Sequence, residues 1–239
     1  MEFKDLKDAL KYPFSKVKMI LLLGLVLLLA DLVNEVHGTD KFSVVLKLTL
    51  TLVAVVMSFL EAGYLFKVIE ETTRGSDSLP EFNQFKSIFI HGTKEIIVTM
   101  IYLSLPILEL GLSVYYFLSS VETHNLVDLN LGYAFLVIGF SSILIIGFLL
   151  QVVILNMAHN HGSIRSAFNW GKIVEKMRNI GYKNLLLTYL LAFITFGSLI
   201  IFFSDNIKNI PFIGILILML FIEPYLLLFN IRLLGLIDK

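Results

Sequence analysis

The sequence predicts an all-α protein: a six-span transmembrane helical bundle with three short amphipathic interfacial helices on the cytoplasmic side. Three observations carry that expectation. The 239 residues are 57% hydrophobic and 16% charged, with a mean hydropathy of +0.84, whereas a soluble domain averages roughly 45–50% apolar and about 25% charged. Six runs reach the roughly 20 mostly apolar residues that a helix needs to cross a bilayer. None of the six alternates with period two, which argues against an outer-membrane barrel; backbone groups in lipid must then be satisfied within helices.

The six runs are Val17–Val36, Val44–Ile69, Ile96–Leu118, Leu131–Ala158, Leu185–Phe203 and Pro211–Leu233. The first also follows a basic stretch, as a signal peptide would. The residues after it, Asp31, Leu32, Val33, Asn34 and Glu35, offer no small-x-small cleavage site, so a retained first helix is expected. Charge orients the set. Sixteen of the 19 Lys and Arg fall in the N-terminal segment, the 67–95 and 158–183 loops and the C-terminus, Arg232 among them; Lys41, Lys47 and Lys208 fall on the other side. By the positive-inside rule the chain is a multi-pass cell-membrane protein with both termini cytoplasmic.

The inside segments carry a pattern of their own. Phe3, Leu6, Leu10 and Phe14 recur at helical spacing among Lys4, Lys7 and Lys11. Phe82, Phe85, Ile88 and Phe89 do so in 81–95, where Ser78 and Glu81 have capping-box spacing. Ile164, Phe168, Ile173, Val174, Met177 and Ile180 do so in 164–182. Each segment reads as a short amphipathic helix in the headgroup layer, or as one packed on the end of the bundle. Phe82, Phe85, Phe89, Phe168 and Trp170 are the expected interfacial anchors. In register, the segments define a unit of amphipathic helix, span, outside hairpin and span. It starts near Phe3, Phe82 and Phe168, at spacings of 79 and 86 residues. The expectation is a single integral-membrane domain, 1–239, with a threefold parallel repeat near 1–79, 80–163 and 164–239.

Polar residues inside the spans are the candidate functional groups, because a charge in hydrocarbon costs at least ~2.5–3.5 kcal/mol. Glu61, Gln151 and Glu223 lie one each in spans two, four and six, the returning helices of the three units; Glu109 lies in span three, three residues after Pro106. They read either as a polar, proton-linked path or as interhelical glue worth ~0.6–1 kcal/mol per bond. Pro106 and Pro224 predict kinks beside Glu109 and Glu223.

Other chemistry is scarce. There is no cysteine for thiol catalysis or a Cys-zinc site. His159 and His161 have no near acid to complete a three-ligand zinc site. Phosphate-binding, nucleophile-elbow and His-Glu-x-x-His motifs are absent from the sequence. The outside loop 119–130, about a dozen residues with Ser119, Glu122, His124 and Asp128, forms no recognisable triad. A net charge of zero leaves no global basic field for nucleic acid. No cofactor, metal or catalytic residue is expected.

Certain short segments carry a family resemblance: Asp8-Ala-Leu-Lys-Tyr-Pro13, Gly63-Tyr64-Leu65, Gly75-Ser-Asp77, Leu79-Pro-Glu-Phe82, Gly92, Ile101-Tyr102, Met157-Ala158, Ala167-Phe168 and Ile180-Gly181-Tyr182. Together they resemble the multi-pass membrane family catalogued as domain of unknown function four-thousand-thirteen, found chiefly in archaea and some bacteria. The resemblance spans nearly the whole chain, and Leu-Pro-Glu-Phe is its most specific part. Where the family shows Asp or Glu and Trp shortly after that Phe, this chain has Asn83, Gln84 and Phe85. The resemblance implies a six-span bundle with cytoplasmic amphipathic segments and no established activity.

Two function classes follow. One is a non-enzymatic membrane component, a scaffold or accessory subunit whose partners are the lipid bilayer and another membrane protein. The alternative is a small permease or proton-linked transporter using Glu61, Gln151 and Glu223. The first is favoured slightly, because no pair of broken helices marks a binding site.

Overall fold

The structure is a computed structural model that describes residues 3–198 and 213–238. Every regular element among them is helical. α1 (Phe3–Lys11) turns Leu6 and Ala9 toward the bundle, where Ala9 packs with Phe229 and Leu233, while Phe3 and Leu10 face outward. Pro13 lies in the 3₁₀ turn Tyr12–Lys16 that follows. α2 (Val17–Asp31) continues through a second 3₁₀ turn, Leu32–Glu35.

α3 (Lys41–Thr73) begins at a strong cap. The Asp40 carboxylate accepts from the backbone N–H of Phe42 (3.1 Å) and Ser43 (3.3 Å) and from the Ser43 hydroxyl. The Ser43 bonds hold the Asp40 carboxyl below the usual carboxylate range. α4 (Phe85–Thr123) and α5 (Leu126–His159) form a long hairpin. After it come α6 (Ile164–Ala167), α7 (Trp170–Ile180) and α8 (Tyr182–Ser198). The C-terminal run comprises α9 (Ile213–Ile217), a π-turn (Leu218–Ile222) and α10 (Glu223–Leu236).

Among the described residues, five helical runs are long and apolar enough to cross a membrane: Phe3–Glu35, Lys41–Thr73, Phe85–Thr123, Leu126–His159 and Leu218–Leu236. Much of the large apolar surface of the middle of α3, from Val44 to Val56, is exposed, as it is in α4 from Met100 to Val121 and in α5 from Leu126 to Ile145. A helix hydrophobic on its outer faces is at home only in lipid or against another apolar surface. Of the expected fifth span, Leu185–Phe203, the part after Ser198 lies outside the described residues, as do Pro211 and Phe212 of the sixth.

Two expectations about the helices are corrected. The 81–95 segment is not a separate amphipathic helix: residues 81–84 form a turn, and the chain from Phe85 onward is the first part of α4. Nothing between Phe85 and Ile96 breaks a helix, since Lys94 and Glu95 are good helix formers and Gly92 is a packing glycine. The dozen-residue outside loop shrinks to His124 and Asn125. His124 takes a left-handed conformation (φ 52°), and Asn125 caps α5 by accepting from Val127 N–H at 2.9 Å. The helices run past their apolar stretches because Asp128 accepts from Ser119 (2.8 Å) and Thr123 (3.4 Å) across the seam. Pro106 does not interrupt α4.

Pro224 has a visible consequence. It cannot donate to the carbonyl four residues earlier, that of Leu220, and Leu220 lies inside the π-turn. The widened turn comes against Gly24 of α2, where a Cβ would stand 2.6 Å from Leu220 Cα and 2.7 Å from its carbonyl oxygen.

The tightest helix contact joins α3 to α4. A Cβ on Gly63 would meet the carbonyl oxygen of Ile88, and one on Gly92 would meet that of Phe59 and, at 2.7 Å, the nitrogen of Gly63. The two backbones touch, as small residues allow where lipid supplies no hydrophobic drive for association. Gly63→Ala or Gly92→Ala must therefore separate α3 and α4 and cost about 1–3 kcal/mol. Thermal unfolding in detergent should show a lowered midpoint for each, and an unchanged midpoint for both would mean the crossing is loose.

Candidate functional site

One arginine gathers both ends of the chain. Arg232 of α10 is 0% exposed. Its Nε and Nη2 donate to Asp8 Oδ2 at 3.1 and 2.7 Å. Nη1 donates to Thr72 Oγ1 at 3.2 Å and to the Ser76 carbonyl, and Nη2 donates to Asp77 Oδ1 at 3.1 Å. These five bonds match the five N–H donors of a guanidinium. The Tyr12 ring lies 4.3 Å from the guanidinium carbon, a cation–π contact on its face. Lysine could not reproduce this fork. The sequence counts Arg232 among the cytoplasmic C-terminal charges; its signal is a lone cation inside an otherwise apolar C-terminal run.

The loop that Arg232 holds is clasped again by tyrosines. Gly75 (φ 89°) turns the chain out of α3. Tyr12 Oη donates to the Ser78 carbonyl (3.3 Å), the Leu79 N–H donates to Ser15 Oγ (3.1 Å), and Tyr64 Oη donates to the Pro80 carbonyl (3.0 Å). The Tyr64 ring stacks on Phe82 at 4.4 Å. Phe82 is thus 7% exposed and internal, which corrects its assignment as a lipid anchor. A polar Tyr64 needed an apolar ring beside it and a carbonyl at its tip, and Leu79-Pro-Glu-Phe82 supplies both. Phe85 is exposed, and Phe89 is half-buried, edge-on to Phe59.

A parallel clasp closes the other loop. Tyr102 Oη donates to the Ala167 carbonyl at 2.6 Å, and its ring stacks on Phe168 (5.6 Å) and meets Trp170 edge-on (6.2 Å). Asn156 Nδ2 donates to the Ser166 carbonyl at 2.7 Å. Phe168 and Trp170 keep exposed surface.

The intramembrane acids converge only in part. Glu61 lies within electrostatic reach of Glu223. Glu95, absent from the expected set, lies within reach of Glu61, and Asp31 within reach of Glu223. The glycine crossing explains the pairing: Glu61 stands two residues before Gly63 and Glu95 three after Gly92, on antiparallel helices whose backbones touch there. Glu95 escaped notice because the apolar run begins at Ile96, so it read as a loop residue. No hydrogen bond joins Glu109 or Gln151 to these acids among the described residues. Glu109 Oε2, Gln151 Oε1 and Glu95 Oε2 are buried without a hydrogen-bond partner there. No group of three His, Asp or Glu is arranged to hold a metal among the described residues. His161 faces Arg74 at 2.7 Å, and Arg74 also bonds Glu70 at 2.6 Å.

Arg232→Ala should remove the polar tie between the ends of the chain and cost on the order of 3 kcal/mol, since it strands buried acceptors. Asp77→Asn, at a carboxylate that is 81% exposed, should cost no more than about 1 kcal/mol. Unfolding midpoints in detergent measure both. Limited proteolysis of residues 74–84 should accelerate only in Arg232→Ala, and equal loop cleavage in wild type and variant would remove the arginine from its role.

The family model described as protein of unknown function (DUF4013) matches residues 46–234. No curated protein and no solved structure matches the chain. The match takes in the α3–α4 glycine crossing, the Tyr64–Phe82 clasp and Arg232. The chain belongs to the DUF4013 family, whose function is unknown.

Proposed function

We propose that this protein is a non-enzymatic component of the cell membrane, a scaffold or accessory subunit presenting a rigid cytoplasmic face to a membrane-protein partner. The observation that carries the reading is the Arg232 junction, which ties α1, the end of α3, the 74–84 loop and α10 into one unit with all five donors satisfied. A polar network whose donors are all matched rigidifies the segments it joins. In this reading α8 and the C-terminal run complete six spans, both termini are cytoplasmic, and α1 and α7 lie in the headgroup layer. The asymmetry of sixteen Lys and Arg against three supports the orientation. Exposed Phe3, Phe14, Phe168 and Trp170 support the interfacial placement.

A second reading rests on a different observation. The approach of Asp31, Glu223, Glu61 and Glu95 to one another aligns acids of four helical segments, as a proton-linked permease requires.

Two measurements bear on these readings. Single cysteines at Ser78 and Arg165 should react with an impermeant reagent only after the inner face is opened, and one at Asn125 should react from outside. All three positions are surface-accessible or nearly so within the chain. Reaction of all three from one side would overturn the six-span arrangement. In proteoliposomes under an imposed pH gradient, the protein should carry no flux above that of protein-free vesicles. A flux that Glu223→Gln abolishes without lowering the unfolding midpoint would replace the scaffold with the permease.

A further inference from the structure

α7 presents three faces. Ile173, Met177 and Ile180 pack into the core. Trp170 and Val174, one turn apart, are exposed apolar groups. Lys172, Glu175, Lys176 and Asn179 recur at i, i+3, i+4 and i+7, which places them on a single stripe. That stripe lines an open cavity of about 460 Å³, together with Asn156, His159 and Asn160 from the end of α5 and Asp238 after α10.

The floor of this cavity is internally satisfied. Lys176 Nζ donates to both oxygens of Asp238 at 2.8 and 2.6 Å, with side chains only 13% and 8% exposed. His159 Nδ1 sits 3.2 Å from each partner. Asn160 Nδ2 donates to the Asn156 carbonyl at 2.7 Å, and Asn156 in turn holds Ser166. The rim is different. Lys172 and Glu175 are exposed, and neither side chain takes part in an ion pair or hydrogen bond among the described residues. Three residues apart on a helix they could pair with one another. Instead they leave one free cation and one free carboxylate at the mouth of an open cavity, with Asn179 beside them.

We propose that this cavity binds a zwitterion carrying an anionic oxyacid group and an ammonium group, the oxyacid held by Lys172 and Asn179 and the ammonium by Glu175. A wholly anionic ligand would meet the carboxylate of Glu175, and a wholly cationic one the ammonium of Lys172. Only a ligand with both signs satisfies the rim, because each charge it leaves unmatched is repelled at close range. The polar stripe lies opposite Trp170 and Val174 around the helix, so the mouth opens away from the apolar face. The same chemistry is offered by a free solute and by the headgroup of a zwitterionic phospholipid. The inference stands apart from the scaffold and permease readings, since it uses neither the Arg232 junction nor the intramembrane acids.

The test uses the full chain with two probes, O-phosphoethanolamine in solution and phosphatidylethanolamine in nanodiscs, with glycerol phosphate and phosphatidylglycerol as partners lacking the ammonium. Calorimetry reads the soluble probes, and native mass spectrometry reads the retained lipids. Binding of O-phosphoethanolamine weakened about tenfold by Lys172→Gln and by Glu175→Gln supports the site with a soluble ligand. Selective retention of phosphatidylethanolamine, lost in the same variants, supports it with a lipid headgroup. Both side chains are exposed, so the variants should fold, and an unchanged unfolding midpoint verifies that. Equal binding of the ammonium-free partners, indifference to Glu175→Gln, or no binding of either zwitterion at millimolar concentration would overturn the proposal.

Discussion

The guanidinium of Arg232 is the interaction on which the rest of this architecture depends. A buried arginine is costly to desolvate, and the cost is offset only when each donor finds an acceptor. Here the acceptors come from Asp8, Thr72, Ser76 and Asp77, so segments separated by as many as 224 residues must meet at one point. In a membrane the hydrophobic effect drives helices into lipid but does little to choose which helix touches which. A directional, five-pronged polar contact makes that choice. It sets α10 against the end of α3, and it draws α1 over both, where Ala9 can reach Phe229 and Leu233.

Away from that junction, selection passes to glycine. Gly63 and Gly92 let α3 and α4 cross with their backbones in contact, and Gly24 admits the π-turn that Pro224 requires. The two devices are linked by what stands beside them. Glu61 and Glu95 flank the glycine crossing, and Glu223 begins the helix after the π-turn. Close backbone approach brings polar side chains near one another as well as apolar ones, and Glu61 and Glu95 lie within electrostatic reach beside the crossing.

How much of this was legible in the sequence depends on the range of the signal. Apolar runs are local, and five of the expected spans correspond to helical runs long enough to cross, though their ends moved. α4 starts at Phe85 rather than Ile96, because hydropathy marks where lipid begins and not where hydrogen bonding does. Asp128 and Asn125 likewise carry the α4–α5 helices almost to their meeting point, past the last apolar residue. Phe82 looked like an anchor because a lone aromatic beside charges has the same local pattern whether it faces lipid or Tyr64. Arg232 and Glu95 were invisible as site residues for a related reason: their partners lie far away in sequence, and a charge near the end of a span reads as a loop charge until the helix is extended past it. The short motifs behind the family resemblance did point to the right places, since Asp8, Tyr12, Asp77 and the Leu79–Phe82 segment all lie at the Arg232 junction or the clasp beside it.

The polar groups of the bundle divide into two populations. Those at the Arg232 junction and in the tyrosine clasps are matched donor to acceptor, which makes them rigid. Glu95, Glu109, Gln151 and Asn230 keep buried oxygens without partners among the described residues. A buried unsatisfied oxygen costs about 1–3 kcal/mol. A chain under selection for stability alone would replace such groups with apolar ones, which in lipid carry no penalty. The matched population therefore builds the frame, and the unmatched buried oxygens, on α4, α5 and α10, are held in place by it rather than contributing to it.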